Sequence, residues 1–369
     1  MNPFLINNYV SPDYFCDREK ETEFLIRNIN NQTNTTLLAQ RRTGKSALIK
    51  HIFYKQKKSY NCIYIDLFPS QNLSDFVNLL ANSIYQSYQK KKIGQRFIDT
   101  IKMLRPVLSV NELTGNFEVS IDLSERGNAD KTIAQLFTYL DAQGEKFVIA
   151  FDEFQQILSY PEKNIEALLR TSIQNMSNCY FIFCGSNTHL MNELFTNSKR
   201  PFYSSTSNMT LHNISSDKYI PFCKTHFKRS KRSIEEDAIV FILESVSNHT
   251  YFVQRICHEL YADGYSKIGI AEVQKTIQGI LLNNEMIFYQ YRSLLTMYQW
   301  KLLQAIALEG KLFQPYGKEF LQKHQLTATH VKRALTALIG KDMVFHHNTT
   351  QLPFYEVQDK LLALWFKYH

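Results

Sequence analysis

Eight consecutive residues, Ala39-Gln40-Arg41-Arg42-Thr43-Gly44-Lys45-Ser46, bring a small-residue turn, a lysine and a hydroxyl together between two apolar runs, Leu37-Leu38 and Ala47-Leu48-Ile49. A loop that leaves a strand and enters a helix turns its backbone N–H groups onto anionic oxygens, and the helix dipole adds partial positive charge. In that setting Lys45 reaches the β- and γ-phosphates of a nucleotide, and the Ser46 hydroxyl ligates Mg²⁺. Ala47 opens the helix behind them. The pattern asks for Gly where Ala39 stands. Alanine still allows close approach, although only glycine tolerates every backbone angle. A chance Gly-Lys-Ser in a basic turn is the competing reading of this loop taken alone.

The complementary chemistry comes later in the chain. Phe147-Val148-Ile149-Ala150-Phe151 is apolar throughout and ends in Asp152-Glu153. A run apolar on both faces suits a buried strand of a parallel sheet. Carboxylates at the carboxyl end of such a strand lie where α/β sheets bind ligands. Asp152 is expected to hold Mg²⁺, directly or through water, and Glu153 to be the general base that polarises the attacking water. By itself this is also a strand capped by two solvated acids; in order with the first loop it points to nucleotide binding, with ATP or ADP and Mg²⁺ the expected ligands. A third apolar run, Cys179 to Cys184, ends in Gly185-Ser186-Asn187. In phosphate-loop ATPases of the additional-strand type this strand lies between the other two. Its terminal polar residue then faces the γ-phosphate. Ser186 or Asn187 could orient water there, and a plain turn fits the same residues. Lys45, Glu153 and Ser186 are thus the candidate catalytic groups, and Ser46 and Asp152 the candidate metal ligands.

At 369 residues the chain can hold two or three domains, each with its own core. Composition is that of a globular protein rich in Phe and Tyr. No apolar stretch approaches a membrane span, and the N-terminus lacks a signal-peptide pattern. Six cysteines form no CxxC pair and read as reduced core residues of a cytoplasmic protein, not as a disulfide or zinc framework. The net charge of +8 permits contact with nucleic acid without requiring it.

The elements that must position these groups follow from periodicity. The first twelve residues read as an extended lead-in. A helix opens at Phe15 to Glu21 with acids in its first turns. After the Lys45 helix, which ends near Phe53, come a strand at Cys62–Leu67 and a helix at Ser74–Tyr88. Val107-Leu108 and Phe117–Leu123, around Thr114-Gly115-Asn116, suggest an inserted β-hairpin. Helices follow at Ala129–Leu140 and Ile165–Met176. Beyond about Leu211 only helices are expected for a stretch: Ile234–Val246, Tyr251–Asp263 and Ile270–Phe288. The basic run Lys224, Lys228, Arg229, Lys231, Arg232 reads as a solvated face in preference to a binding site. The last region, with helices at Gln299–Leu308, Gly317–His324 and Thr327–Gly340 and strands at Met343–His347 and Phe354–Gln358, has the winged-helix layout. In its third helix Val331, Ala334, Leu335 and Leu338 form the apolar stripe. Thr329, His330, Lys332, Arg333 and Thr336 lie opposite, on the face that enters the major groove in a helix-turn-helix. Residues 286–369 carry ten Lys/Arg against five Asp/Glu. The expected organisation is an α/β ATPase core with a parallel sheet (1–210), a helical lid (211–288) and a winged helix (289–369).

Together these residues resemble the archaeal-type ATPase family within the STAND branch of AAA+-like P-loop NTPases, over nearly the whole chain. Asp17-Arg18-Glu19-x-Glu21 is similar to its F-x-x-R-E-x-E opening, which implies that this segment packs near the adenine and that Arg18 binds the nucleotide. Ala39–Ser46 resembles G-P-R-R-T-G-K-S/T, departing at Ala39 and Gln40, and Asp152-Glu153-Phe154-Gln155 resembles D-E-F-Q. Arg200-Pro201-Phe202-Tyr203-Ser204-Ser205 stands where the family has S-P-L-Y-G-R, so arginine assistance from this loop falls to Arg200 or to none. His249 to Gln254 resembles H-P-Y-Y-V-Q, and Tyr355 to Asp359 with Trp365 resembles the closing Y-x-V-x-D-P segment, with Lys360 in place of Pro.

Three functions are compatible with these residues. One is an ATP-driven switch in which slow hydrolysis resets the lid and winged helix. A second is a DNA-binding regulator whose nucleotide is structural. A third is a scaffold that docks a protein partner through the winged helix.

Overall fold

A computed structural model describes residues 1–89, 106–110, 117–121, 128–347 and 352–369. The chain forms two compact units, residues 9–212 and residues 1–8 with 213–369.

In the first unit the elements run α1 (Glu19–Asn30), β1 (Thr35–Ala39), α2 (Lys45–Gln56), β2 (Asn61–Asp66), α3 (Leu73–Gln89), β3 (Pro106–Val110), β4 (Phe117–Ile121), α4 (Asn128–Ala142), β5 (Phe147–Asp152), α5 (Ile165–Gln174), β6 (Cys179–Gly185), α6 (Thr188–Thr196) and β7 (Ser207–Leu211). Five strands make one parallel sheet in the order β2-β5-β6-β1-β7. The additional strand, β6, lies between β1 and β5 as expected. Every residue of β1, β5 and β6 is buried, because helices cover both faces. Register pairs Asp66 with Asp152, and Leu38 with Gly185, so the polar ends of the strands line up at one edge. On one face Phe151, Phe181 and Phe183 stack along neighbouring strands, and Phe154, Phe195 and Phe202 close over them.

Two elements of this unit escape the sequence reading. β7 is an edge strand whose inward residues are only Met209 and Leu211, too short an alternation to stand out. α6 follows directly on Asn187 and contributes Met191, Leu194 and Phe195 to the core. The inserted hairpin is present as β3 and β4. Asn78 and Asn82 of α3 accept hydrogen bonds from the β4 N–H groups of Ile121 and Val119, which occupies that strand edge. The expected turn Thr114-Gly115-Asn116 lies outside the described residues.

The second unit contains α7 (Ser216–Arg229), β8 (Ser233–Ile234), α8 (Glu236–Ser245), α9 (Thr250–Ala262), β9 (Lys267–Ile268), α10 (Ile270–Leu294), α11 (Met297–Glu309), α12 (Lys318–Lys323), α13 (Ala328–Gly340), β10 (Val344–His347), β11 (Phe354–Val357) and α14 (Lys360–Tyr368). Strand pairing therefore continues past Leu211, in the short parallel pair β8–β9. The lead-in has a structural role that its sequence does not reveal. Phe4 is fully buried against Phe222, Phe227 and Tyr261, and Asn2 Nδ2 donates to the His258 carbonyl at 2.9 Å. In the basic run Lys224 pairs with Glu236 and Arg232 donates to the Tyr261 carbonyl, while Lys228, Arg229 and Lys231 are exposed.

α11 to α13 and the antiparallel pair β10–β11 make the winged helix. Val331, Ala334, Leu335 and Leu338 are buried, and Lys332 and Arg333 are exposed. α14 closes the domain with Trp365 against Trp300 and Phe288. Proline is favoured at the first turn of a helix. Here Lys360 takes that place, buried, with its ammonium on Glu356 Oε2 (2.6 Å) and the Val357 carbonyl. Among the described residues no helix is long and apolar enough to cross a membrane, and all six cysteines are free.

Candidate nucleotide site

The loop between β1 and α2 holds its shape through its own residues. Arg42 (φ 64°) and Gly44 (φ 99°) take left-handed backbone angles, which fold successive N–H groups into a concave turn. Thr43 Oγ1 donates to the Gln40 carbonyl at 2.7 Å. Arg18, buried at the start of α1, donates to the Thr43 carbonyl at 3.3 Å and pairs with Glu21 at 2.7 Å. Arg18 thus touches the loop through the Thr43 carbonyl. Ala39 and Gln40 are buried at the end of β1, while the side chains of Arg41 and Arg42 are exposed. Gly44 is the N-cap of α2, so the N–H groups of Lys45, Ser46 and Ala47 head a helix of twelve residues.

β5 delivers the carboxylates to this loop. Ser46 Oγ donates to Asp152 Oδ2 at 2.7 Å, and Tyr64 Oη donates to the same oxygen. The Cys184 thiol (3.2 Å) and the Glu153 N–H (3.0 Å) donate to Asp152 Oδ1. Burial pushes the Asp152 carboxyl up, but Lys45 and the bonds from Tyr64, Ser46 and Cys184 outweigh it and hold it below the usual carboxylate range. Burial and the neighbouring Asp152 push the Tyr64 hydroxyl up, so it stays a donor. Sequence reasoning passed over Tyr64. The available signal was its place two residues before Asp66, on the same face of β2.

Glu153 takes left-handed angles (φ 52°, ψ 43°), uncommon for a residue with a side chain and concentrated at functional sites. Its Oε1 lies 3.6 Å from Lys45 Nζ. Its Oε2 accepts from Gln155 Nε2 (2.6 Å), Ser186 N (3.1 Å) and Ser186 Oγ (2.7 Å). Burial raises this carboxyl as well, and Lys45, Gln155 and Ser186 bring it below its ordinary value. The two polar residues after β6 have different partners. Asn187 accepts from the Leu190 N–H as the N-cap of α6, whereas Ser186 binds Glu153.

Lys45, Ser46, Asp152, Glu153 and Ser186 therefore meet in one place. Arg200 does not join them. Its guanidinium is taken by Glu166 (2.7 Å) and Glu193. Ser205 Oγ donates to the Phe202 carbonyl at 2.7 Å within its own turn.

Comparison with known proteins gives the family and the fold. Residues 15–245 match the family described as an ATPase domain predominantly from Archaea, and residues 286–368 match a probable winged-helix domain. The fold is similar to that of the Walker-type ATPase PABY2304 of Pyrococcus abyssi, at TM-score 0.67 and 17% identity over 99% of both chains. It is also similar to Aeropyrum pernix ORC2 in ADPNP–ADP complexes, at TM-score 0.59 and 14% identity over 100% of this chain and 98% of that one. Aeropyrum pernix ORC1 in complex with DNA gives TM-score 0.53 at 11% identity, over 99% and 95% of the two chains. Among curated proteins none matches the sequence. The family match spans well over half of the chain, and the protein belongs to the ATPase-domain family found predominantly in Archaea, with a winged-helix domain at its C-terminal end.

Proposed function

We propose that the protein is a Mg²⁺-dependent ATP hydrolase that serves as a nucleotide-dependent switch. The observation that carries this reading is the meeting of loop and strand, with Ser46 on Asp152 (2.7 Å) and Lys45 facing Glu153 (3.6 Å). The N–H groups at the head of α2 receive phosphate oxygens, and Lys45 exchanges its carboxylate for the β- and γ-phosphates. Ser46 and Asp152 supply hard oxygen donors, the kind Mg²⁺ prefers, and are the residues that would hold it. Bound there, Mg²⁺ offsets the charge on the phosphate oxygens. Departure of Lys45 leaves Glu153 Oε1 free to take a proton from water. The water oxygen then bonds to the γ-phosphorus, the bond to the β–γ bridging oxygen breaks, and ADP leaves with that electron pair. Rearrangement of the helical and winged-helix domains with nucleotide state is the switch, supported by their order along the chain and by the resemblance to the STAND branch. The test is ATP turnover by the purified chain, with and without Mg²⁺ and with and without DNA.

Because Arg200 is engaged by two carboxylates, it is not the arginine that assists hydrolysis. The isolated chain is expected to turn over well below the typical enzyme rate of about 10 per second. Arg200→Ala should leave turnover within about twofold of the parent but destabilise the fold by about 1–2 kcal/mol, since buried Glu166 loses its partner. Urea unfolding and steady-state turnover of the same variant check both halves. A large drop in turnover with no change in stability would return Arg200 to the mechanism.

A second reading, contact with DNA, is favoured by the exposure of Lys332 and Arg333 on α13. Replacing both by Ala should weaken duplex binding and reduce the salt slope by about one counterion per lost phosphate contact, with ATP binding unchanged. An unchanged slope would leave protein docking as the role of this domain.

A further inference from the structure

The two oxygens of Glu153 are not equivalent. Oε2 carries three donors, two from Ser186 and one from Gln155, while among the described residues Oε1 has Lys45 as its partner, at 3.6 Å. We propose that Gln155 is a positioning residue: with Ser186 it anchors Oε2, so that Oε1 alone is presented once Lys45 moves to phosphate. This rests on the reading of Glu153 as the general base.

The setting of Gln155 supports a committed role. Its Oε1 is buried and has no hydrogen-bond partner among the described residues. An unpaired buried amide oxygen is destabilising. The flipped amide would aim that oxygen at the Glu153 carboxylate, so the donor orientation is the one the charge selects. The amide also fits only because residue 185 is glycine. A Cβ there would collide with Gln155 Oε1 and come within 2.9 Å of Met191 Cγ and Sδ. The short helical turn Phe154–Ser159, pinned by fully buried Phe154, fixes the backbone from which Gln155 reaches back. Lys45, Asp66, Asp152 and Cys184 are ionisable groups close to Glu153 among the described residues. A neutral amide orients the carboxylate without adding a charge to that set, on a residue held at left-handed backbone angles.

The experiment is a double-mutant cycle on the full chain, reading both turnover and equilibrium affinity for Mg·ATP in the parent, Gln155→Met, Glu153→Gln and the double variant. Gln155→Met keeps side-chain length and loses the donor. It should lower kcat roughly tenfold or more, as displacement of a catalytic group by a fraction of an ångström does. Its KM, and the Kd for Mg·ATP, should stay within about twofold of the parent. In the Glu153→Gln background the same change should cost nothing further, because its effect passes through Glu153. If Gln155→Met fails to fold, Gly185→Ala, whose methyl displaces the amide, should reproduce the pattern. Parent-like kcat in a folded Gln155 or Gly185 variant, affinity falling in step with turnover, or an additive loss in the double variant would each overturn the positioning role alone. Parent-like turnover in Glu153→Gln would instead remove the general base, and the positioning role with it.

Discussion

Glu153→Gln should bind Mg·ATP as the parent does and hydrolyse it slower by roughly two orders of magnitude or more. The amide keeps the volume of the carboxylate and can turn its oxygen to the three donors on Oε2. Its NH₂ then takes the Oε1 position, where it can no longer accept a proton from water. Binding does not suffer, because Lys45 gives up no carboxylate partner when it meets the phosphates. The measurement is single-turnover hydrolysis beside equilibrium binding. Equal turnover in variant and parent would take Glu153 out of the chemistry.

Lys45→Ala should weaken ATP binding by about a hundredfold or more, equivalent to ~3 kcal/mol, with the fold intact. Lys45 is almost completely buried at the head of α2, and its ammonium is the point charge placed between the loop and the β5 carboxylates. In so enclosed a site the charge-assisted contact to phosphate is poorly screened. Removing it also leaves Glu153 and Asp152 facing an incoming polyanion with no cation between them. A fluorescent-nucleotide titration of the folded variant gives the ratio directly. Affinity equal to that of the parent would move the nucleotide away from this loop.

The site was legible in the sequence where its residues are neighbours along the chain, and hidden where they are not. Ala39 to Ser46 and Phe147 to Glu153 each carry their own strand context, so loop, lysine, serine and carboxylates could be placed on the ends of β1 and β5. Apolar runs made β5 and β6 plain for the same reason. β7 could not be read because an edge strand buries only alternate residues, and two of them form no pattern. Phe4 gave no signal because its burial depends on helices far along the chain. The pairing of Arg200 with Glu166 and Glu193, and of Ser186 and Gln155 with Glu153, belongs to tertiary contact alone. The missing arginine at Ser205 was visible, whereas the engagement of the obvious substitute was not. Tyr64 read as a strand residue because its hydroxyl acquires meaning only once β2 lies beside β5.

The most direct test of the whole account is a structure of Glu153→Gln with Mg·ATP. The account predicts the β- and γ-phosphates in the turn formed by residues 40–46, with Lys45 Nζ moved from residue 153 onto their oxygens and Ser46 and Asp152 beside the metal. A nucleotide bound elsewhere, or Lys45 still facing residue 153 with phosphate present, would contradict it.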